Sequence, residues 1–135
     1  MKTVLFLCTG NSCRSQMAEA IVNARHPEWK ASSAGTKPAG YVHPMAIEAL
    51  GEIGITHSGA SKHIDELPTR DFDLVITVCD SAAEECPIWP GRAGRRVHHS
   101  FVDPAQAQGP DEERRVVFRQ VRDEMLAQIP QLLEE

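Results

Sequence analysis

A chain of 135 residues is long enough for one domain that buries a core without disulfide staples or a structural metal. Its 41% hydrophobic and 24% charged residues are the balance of an ordinary soluble protein and exclude a low-complexity chain. The net charge of −5 and the lack of aromatics interleaved with the basic cluster Arg92, Arg95 and Arg96 argue against a nucleic-acid surface, so that cluster reads as a solvated loop face.

From the amino terminus, one lysine precedes an apolar run shorter than the roughly 7 to 15 residues of a signal-peptide core, so no export or membrane segment is expected. The expected compartment is the cytoplasm, where thiols are more often catalytic or metal-bound than locked in structural disulfides. Val4 to Cys8 is continuously apolar and ends in Thr9-Gly10-Asn11, the pattern of a strand buried on both faces and stopped by a turn. Ser15 offers an N-cap to a helix carrying Met17, Ala18, Ile21 and Val22 and running to about Ala24. A short strand is predicted around Ala31 to Ala34, then a Gly/Pro-rich loop from Gly35 to Pro44 suited to a site rim, then a helix with Met45, Ile47, Ala49, Leu50 and Ile53. Leu74 to Cys79 is a second apolar strand, Val97 to Phe101 a weaker one, and a helix from about Asp111 to Gln128 closes the chain. Strands alternating with helices imply an α/β fold with a parallel sheet covered on both faces, in a single domain over 1–135 with no repeat or linker.

The segment Cys8-Thr9-Gly10-Asn11-Ser12-Cys13-Arg14-Ser15 puts a thiol at a strand end, an arginine six positions on, and a helix start directly after. A loop wound between those elements points backbone N–H groups into one concavity, and the helix terminus adds partial positive charge. Such a nest, formed by Thr9, Gly10, Asn11, Ser12, Cys13 and Arg14, binds a tetrahedral oxyanion. Arg14 supplies a planar fork for two anion oxygens. The same field favours the thiolate of Cys8, the nucleophilic form, and Ser15 is positioned to donate to it. Cys13 is expected to face the core without chemistry.

That loop, Ser33-Ala34-Gly35 and Asp103-Pro104 together resemble the low-molecular-weight protein tyrosine phosphatase superfamily over essentially the whole chain. The resemblance implies a four-stranded parallel sheet flanked by helices, with Cys8 as nucleophile, Arg14 as anion-binding arginine, Ser15 as supporting hydroxyl, Asn11 as loop brace and Asp103 as general acid. Ester hydrolysis needs one thiol and one acid. Here Cys79 and Cys86 stand seven positions apart, in Val78-Cys79-Asp80 and Glu85-Cys86-Pro87, and with Phe101-Val102-Asp103-Pro104-Ala105 they resemble the thioredoxin-coupled arsenate reductases built on this fold. That likeness implies attack of Cys8 on arsenate, of Cys79 on Cys8, and of Cys86 on Cys79, with the resulting disulfide delivered to thioredoxin, glutaredoxin being the less favoured alternative. No tightly bound cofactor is implied. A helical Asp80 to Glu85 would separate the two cysteine Cα atoms by roughly 10 Å, so their pairing requires that segment to unwind.

The alternative is a phosphatase hydrolysing phosphate monoesters, for which Tyr41 is an aromatic rim candidate. The four cysteines lack the two short pairs of structural zinc sites, and no metal site is expected. Some reductases of this type hold a potassium ion through residues matching Asn11, Glu19 and Ser33 and an aspartate; Lys62 stands at the aspartate position, where its ammonium would repel the ion and replace it beside Glu19.

Overall fold

The computed structural model describes residues 1–79 and 86–134. In chain order they form β1 (Lys2–Cys8), α1 (Arg14–Arg25), β2 (Trp29–Gly35), α2 (Pro44–Gly51), β3 (Asp71–Thr77), β4 (Arg92–His98) and α3 (Asp111–Glu134), with 3-10 turns at Ile64–Glu66 and Pro104–Gln106. The strands make one parallel sheet in the order β2-β1-β3-β4. Val4 to Cys8, apolar at every position, occupies the interior of that sheet because only there are both of its faces and both of its edges covered.

The register aligns the strand ends. Cys8 pairs with Gly35, Leu7 with Thr77, and Val78 N–H donates to the Leu7 carbonyl. Cys8, Val78 and the segment after β4 therefore meet at the carboxyl edge, where open α/β sheets bind ligands. Side chains alternate across the sheet. Val4, Phe6, Cys8, Leu74 and Ile76 pack under α1, α2 and α3 against Met17, Ile21, Leu50, Phe118, Met125 and Ile129. Leu5, Leu7 and Val75 pack on the opposite face with Ala34, Ile64, Phe72 and Trp89. Each such fully buried large side chain contributes about 1.5–3 kcal/mol, so the sheet is held from both sides.

Several boundaries differ from the sequence expectation. The weak strand predicted at Val97 to Phe101 begins earlier, and Arg92, Arg95 and Arg96 lie within β4 rather than in a loop. An edge strand needs only one ladder, and alternating charged side chains suit its solvent side, a pattern that imitates a loop in sequence. The helix expected to stop near Gln128 continues through Pro130, because Ile129, Leu132 and Leu133 are buried against the core. α1 starts at Arg14, so Ser15 is not its N-cap but a buried residue of its first turn. Cys79 lies two residues beyond β3, and the expectation for Asp80 to Glu85 falls outside the described residues. Among the described residues no helix is long and apolar enough to cross a membrane.

Candidate active site

β1 delivers Cys8 to the sheet's carboxyl edge with a side chain that is buried and a thiol that is free. Its sulfur lies 2.9 Å from Ser15 Oγ and accepts from Asn11 N–H at 3.2 Å. Asn11 Nδ2 donates to the same Ser15 oxygen at 2.8 Å. Either atom can donate across the Cys8–Ser15 contact while Cys8 is a thiol; once Cys8 is a thiolate it can only accept, and the sulfur then receives two donors, the Ser15 hydroxyl and the Asn11 N–H.

The loop's concavity is built from outside. Lys37 N–H donates to the Thr9 carbonyl at 3.0 Å, Ala39 N–H to Gly10 at 2.9 Å, and His43 N–H to Ser12 at 2.9 Å. In a planar trans peptide the N–H points opposite to its carbonyl, so turning these carbonyls outward turns the N–H groups of Gly10, Asn11 and Cys13 inward. The Gly35 to Pro44 segment, expected as a rim, is thus also the frame of the anion loop. Gly35 permits the approach, since a Cβ there would collide with the Thr9 and Cys8 carbonyl oxygens.

Asn11 carries the loop's one left-handed non-glycine backbone, with φ of 48°, a conformation that asparagine tolerates better than most residues. Its Oδ1 accepts from Lys62 N–H at 2.9 Å and from Gln16 Nε2 at 3.0 Å. Gln16 Nε2 also approaches the Asn11 and Ala60 carbonyls, while Gln16 Oε1 lies 2.8 Å from His57 Nε2. Because Oε1 only accepts, the proton of His57 sits on Nε2. Burial lowers the pKa of His57 below the usual 6.5, Lys62 acting in the same sense and Glu19 against it. Gln16 and His57, 41 positions apart, escaped the sequence reading: a glutamine next to Arg14-Ser15 carries no pattern that distinguishes a loop brace from a solvated amide. Lys62 Nζ donates to the carbonyls of Ser33 and Ala60, and the Ser33 hydroxyl donates to Glu19. The ammonium expected beside Glu19 therefore rests on the residue that Glu19 binds.

Arg14, buried at the first position of α1, brings its Nη2 to 3.6 Å from Asp103 Oδ2. Asp103 Oδ1 accepts from Ala105 N–H at 3.0 Å, which fixes the carboxyl over the loop. His43 caps α2 by accepting Met45 N–H and packs its ring, tilted, 4.7 Å from that of Phe118, and burial, then Arg114, lower its pKa. Tyr41, more than half exposed, stands 6.5 Å from the His43 ring. Cys13 faces the core, and burial pushes its thiol up to about 12. It stays a protonated, inert thiol there.

Cys79 and Cys86 form a disulfide with Cα atoms 5.8 Å apart, within the usual range for such bonds. Cys79 is fully buried in the hydrophobic cluster that contains Cys8, and Cys86 packs partly exposed against it. The structure thus brings the loop Cys8 to Arg14, Ser15 and Asp103 together at the carboxyl edge of the sheet, with the Cys13 side chain turned to the core. It joins Cys79 and Cys86 to each other rather than to Cys8.

Residues 3–135 match the family described as low molecular weight phosphotyrosine protein phosphatase. An arsenate reductase of Halalkalibacterium halodurans is 49% identical over 126 residues, covering 92% of this chain and 89% of the relative. A solved arsenate reductase in its oxidised state is 30% identical with a TM-score of 0.77, over 99% of this chain and 98% of that one. A thioredoxin-dependent arsenate reductase of Corynebacterium glutamicum is 25% identical with a TM-score of 0.65, over all of this chain and 64% of that one.

Proposed function

Because the chain belongs to the low molecular weight phosphotyrosine protein phosphatase family, we propose that it turns the family's anion loop to the reduction of arsenate to arsenite, with thioredoxin as electron donor. The observation that carries the proposal is the Cys79–Cys86 disulfide in the same hydrophobic cluster as the free Cys8. Ester hydrolysis uses neither of the two additional sulfurs.

In the proposed cycle the inward N–H groups and Arg14 hold arsenate. The Cys8 thiolate attacks arsenic, and Asp103 protonates the departing oxygen. Cys79 then attacks the Cys8 sulfur. The S–As electron pair passes to arsenic, which leaves as arsenite, and two thiols become one disulfide. Cys86 next attacks Cys79, the Cys79–Cys86 bond forms, and Cys8 departs as a thiolate. A dithiol protein restores both cysteines, and the thioredoxin dependence of the Corynebacterium glutamicum relative supports thioredoxin in that role. Such recycling suits the cytoplasm, where thioredoxin is kept reduced.

Phosphate-monoester hydrolysis through a Cys8 phosphocysteine is the second reading, favoured by Tyr41 at the rim. Arsenite release driven by thioredoxin, its reductase and NADPH, measured beside aryl phosphate hydrolysis, separates the two. Cys86→Ser is expected to release about one arsenite per enzyme and then stall with a Cys8–Cys79 disulfide, while any ester hydrolysis persists. Sustained turnover by Cys86→Ser, or no arsenite from the parent, leaves only the phosphatase.

A further inference from the structure

The two members of the Cys79–Cys86 couple are held differently. Cys79 follows Val78, whose N–H donates to Leu7 and whose carbonyl accepts from Phe101, so its sulfur is fixed by the sheet. Cys86 belongs to no named element. It begins the strap Cys86-Pro87-Ile88-Trp89-Pro90-Gly91 leading into β4, and the far half of that strap is fastened to the sheet. Trp89 is buried edge-on against Phe72, with centroids 5.8 Å apart, and its Nε1 donates to the Arg92 carbonyl at 3.0 Å. A Cβ on Gly91 would collide with the Arg70 carbonyl and the Trp89 ring, so the chain passes there only as glycine.

Arg96 completes the fastening. On an edge strand its side chain has open solvent available and needs no protein partner. Yet Nη1 donates to the Trp89 carbonyl at 3.0 Å and Nη2 to the Gly91 carbonyl at 2.9 Å, one planar fork spanning two strap residues. Pro87 and Pro90 fix their own φ and confine Cys86 and Trp89 to extended backbone. A grip on the Trp89 carbonyl is therefore transmitted to Cys86 across only two residues, Pro87 and Ile88, the first of them with its φ fixed.

We propose that Arg96 is a positioning residue for the Cys79–Cys86 couple: by clamping the carbonyls of Trp89 and Gly91 it keeps Cys86 within disulfide reach of Cys79. The clamp raises the effective concentration of one thiol at the other and so favours the disulfide over the dithiol. Its part in turnover rests on the cycle proposed above, but its effect on the couple does not.

The test uses the full chain carrying Cys8→Ser, equilibrated with glutathione and glutathione disulfide, with the Cys79–Cys86 bond quantified by alkylation and mass spectrometry. Glutathione disulfide takes two electrons and two protons from the thiols of Cys79 and Cys86 and becomes two glutathiones. Arg96→Met, which keeps the aliphatic stem and removes the fork, is expected to lower the equilibrium constant for disulfide formation roughly tenfold, the scale of one hydrogen bond from a charged donor. Arg96→Lys, which keeps the charge without the fork, should recover part of the loss. A role confined to general stability would lower the melting temperature and leave the glutathione equilibrium in place. An equilibrium constant for Arg96→Met equal to the parent's overturns the proposal; should that variant not fold, equality between the milder Arg96→Gln and the parent does so. No arsenate enters the measurement. A shifted equilibrium without arsenite production by the parent refutes the reductase cycle and leaves the clamp standing, and normal arsenite turnover with an unshifted equilibrium does the reverse.

Discussion

The loop that holds Cys8 and the strap that carries Cys86 present a sulfur in opposite ways. The loop is tied at nearly every residue, from within by Asn11, Ser15 and Gln16 and from without by the amides of Lys37, Ala39 and His43. The strap is tied at Trp89 and Gly91, three residues and more from its cysteine, and its intervening Ile88 is 89% exposed. A nucleophile that must meet a small anion in one geometry gains from donors already oriented, which cost no reorganisation during reaction. A sulfur that exchanges partners gains from a tether that limits its range without fixing its position. The rigidity of each segment matches what its sulfur is proposed to do.

The largest expected effect strikes the loop at its sulfur. Cys8→Ser leaves a protonated hydroxyl where a thiolate must attack, so arsenite release and aryl phosphate hydrolysis both fall to background; turnover of either substrate by this variant removes Cys8 as nucleophile. Next comes the outer frame. Gly35→Ala drives a methyl into the Thr9 and Cys8 carbonyls and is expected to cost about 3 kcal/mol in denaturant melts, with a loss of activity beyond that explained by unfolding. A melt like the parent's would mean that the frame yields.

A smaller effect separates the inner brace from general stability. The pKa of His57 is lowered in the folded protein by burial, so the fold binds fewer protons than the unfolded chain between that value and 6.5. The stability contributed by neutral His57 is present above pH 6.5 and is lost as pH falls from there through the folded pKa. His57→Gln keeps an amide donor for Gln16 Oε1 and should flatten the rise of melting temperature between pH 5 and pH 7, leaving the slope due to His43, whose pKa is lowered in the same direction. An unchanged slope would show that His57 does not titrate across that window. The smallest effect belongs to the strap. Ile88→Ala should change stability by less than about 0.5 kcal/mol, and a loss of several times that would make the strap as fixed as the loop and erase the contrast.

What the sequence disclosed follows from how the parts are spaced. Cys8 to Ser15 was legible because strand, turn, arginine and helix are contiguous, and the physical task of each could be read in place. The parallel sheet was legible from its apolar runs, above all Val4 to Cys8. Asp103 came only with the family resemblance, since one aspartate before a proline carries no chemistry of its own. Gln16 and His57 stayed hidden because the fold, not the sequence, brings them together. β4 was misplaced because Arg92, Arg95 and Arg96 suit an edge strand as well as a loop. The second role of Arg96 required the carbonyls of a strap that only the folded chain brings within its reach.

The interior position of β1 also sets an order of assembly on the ribosome. The strand bearing Cys8 emerges before β2 and β3, on which its ladders depend, and the cluster beneath it waits for Phe118, Val121, Met125 and Ile129 of α3. Contacts of such sequence separation form slowly and leave apolar segments exposed until they close. Synthesis halted before Asp111 would therefore yield a nascent chain with the complete anion-loop sequence and no stable loop, and such a chain would be a substrate for chaperones rather than an enzyme.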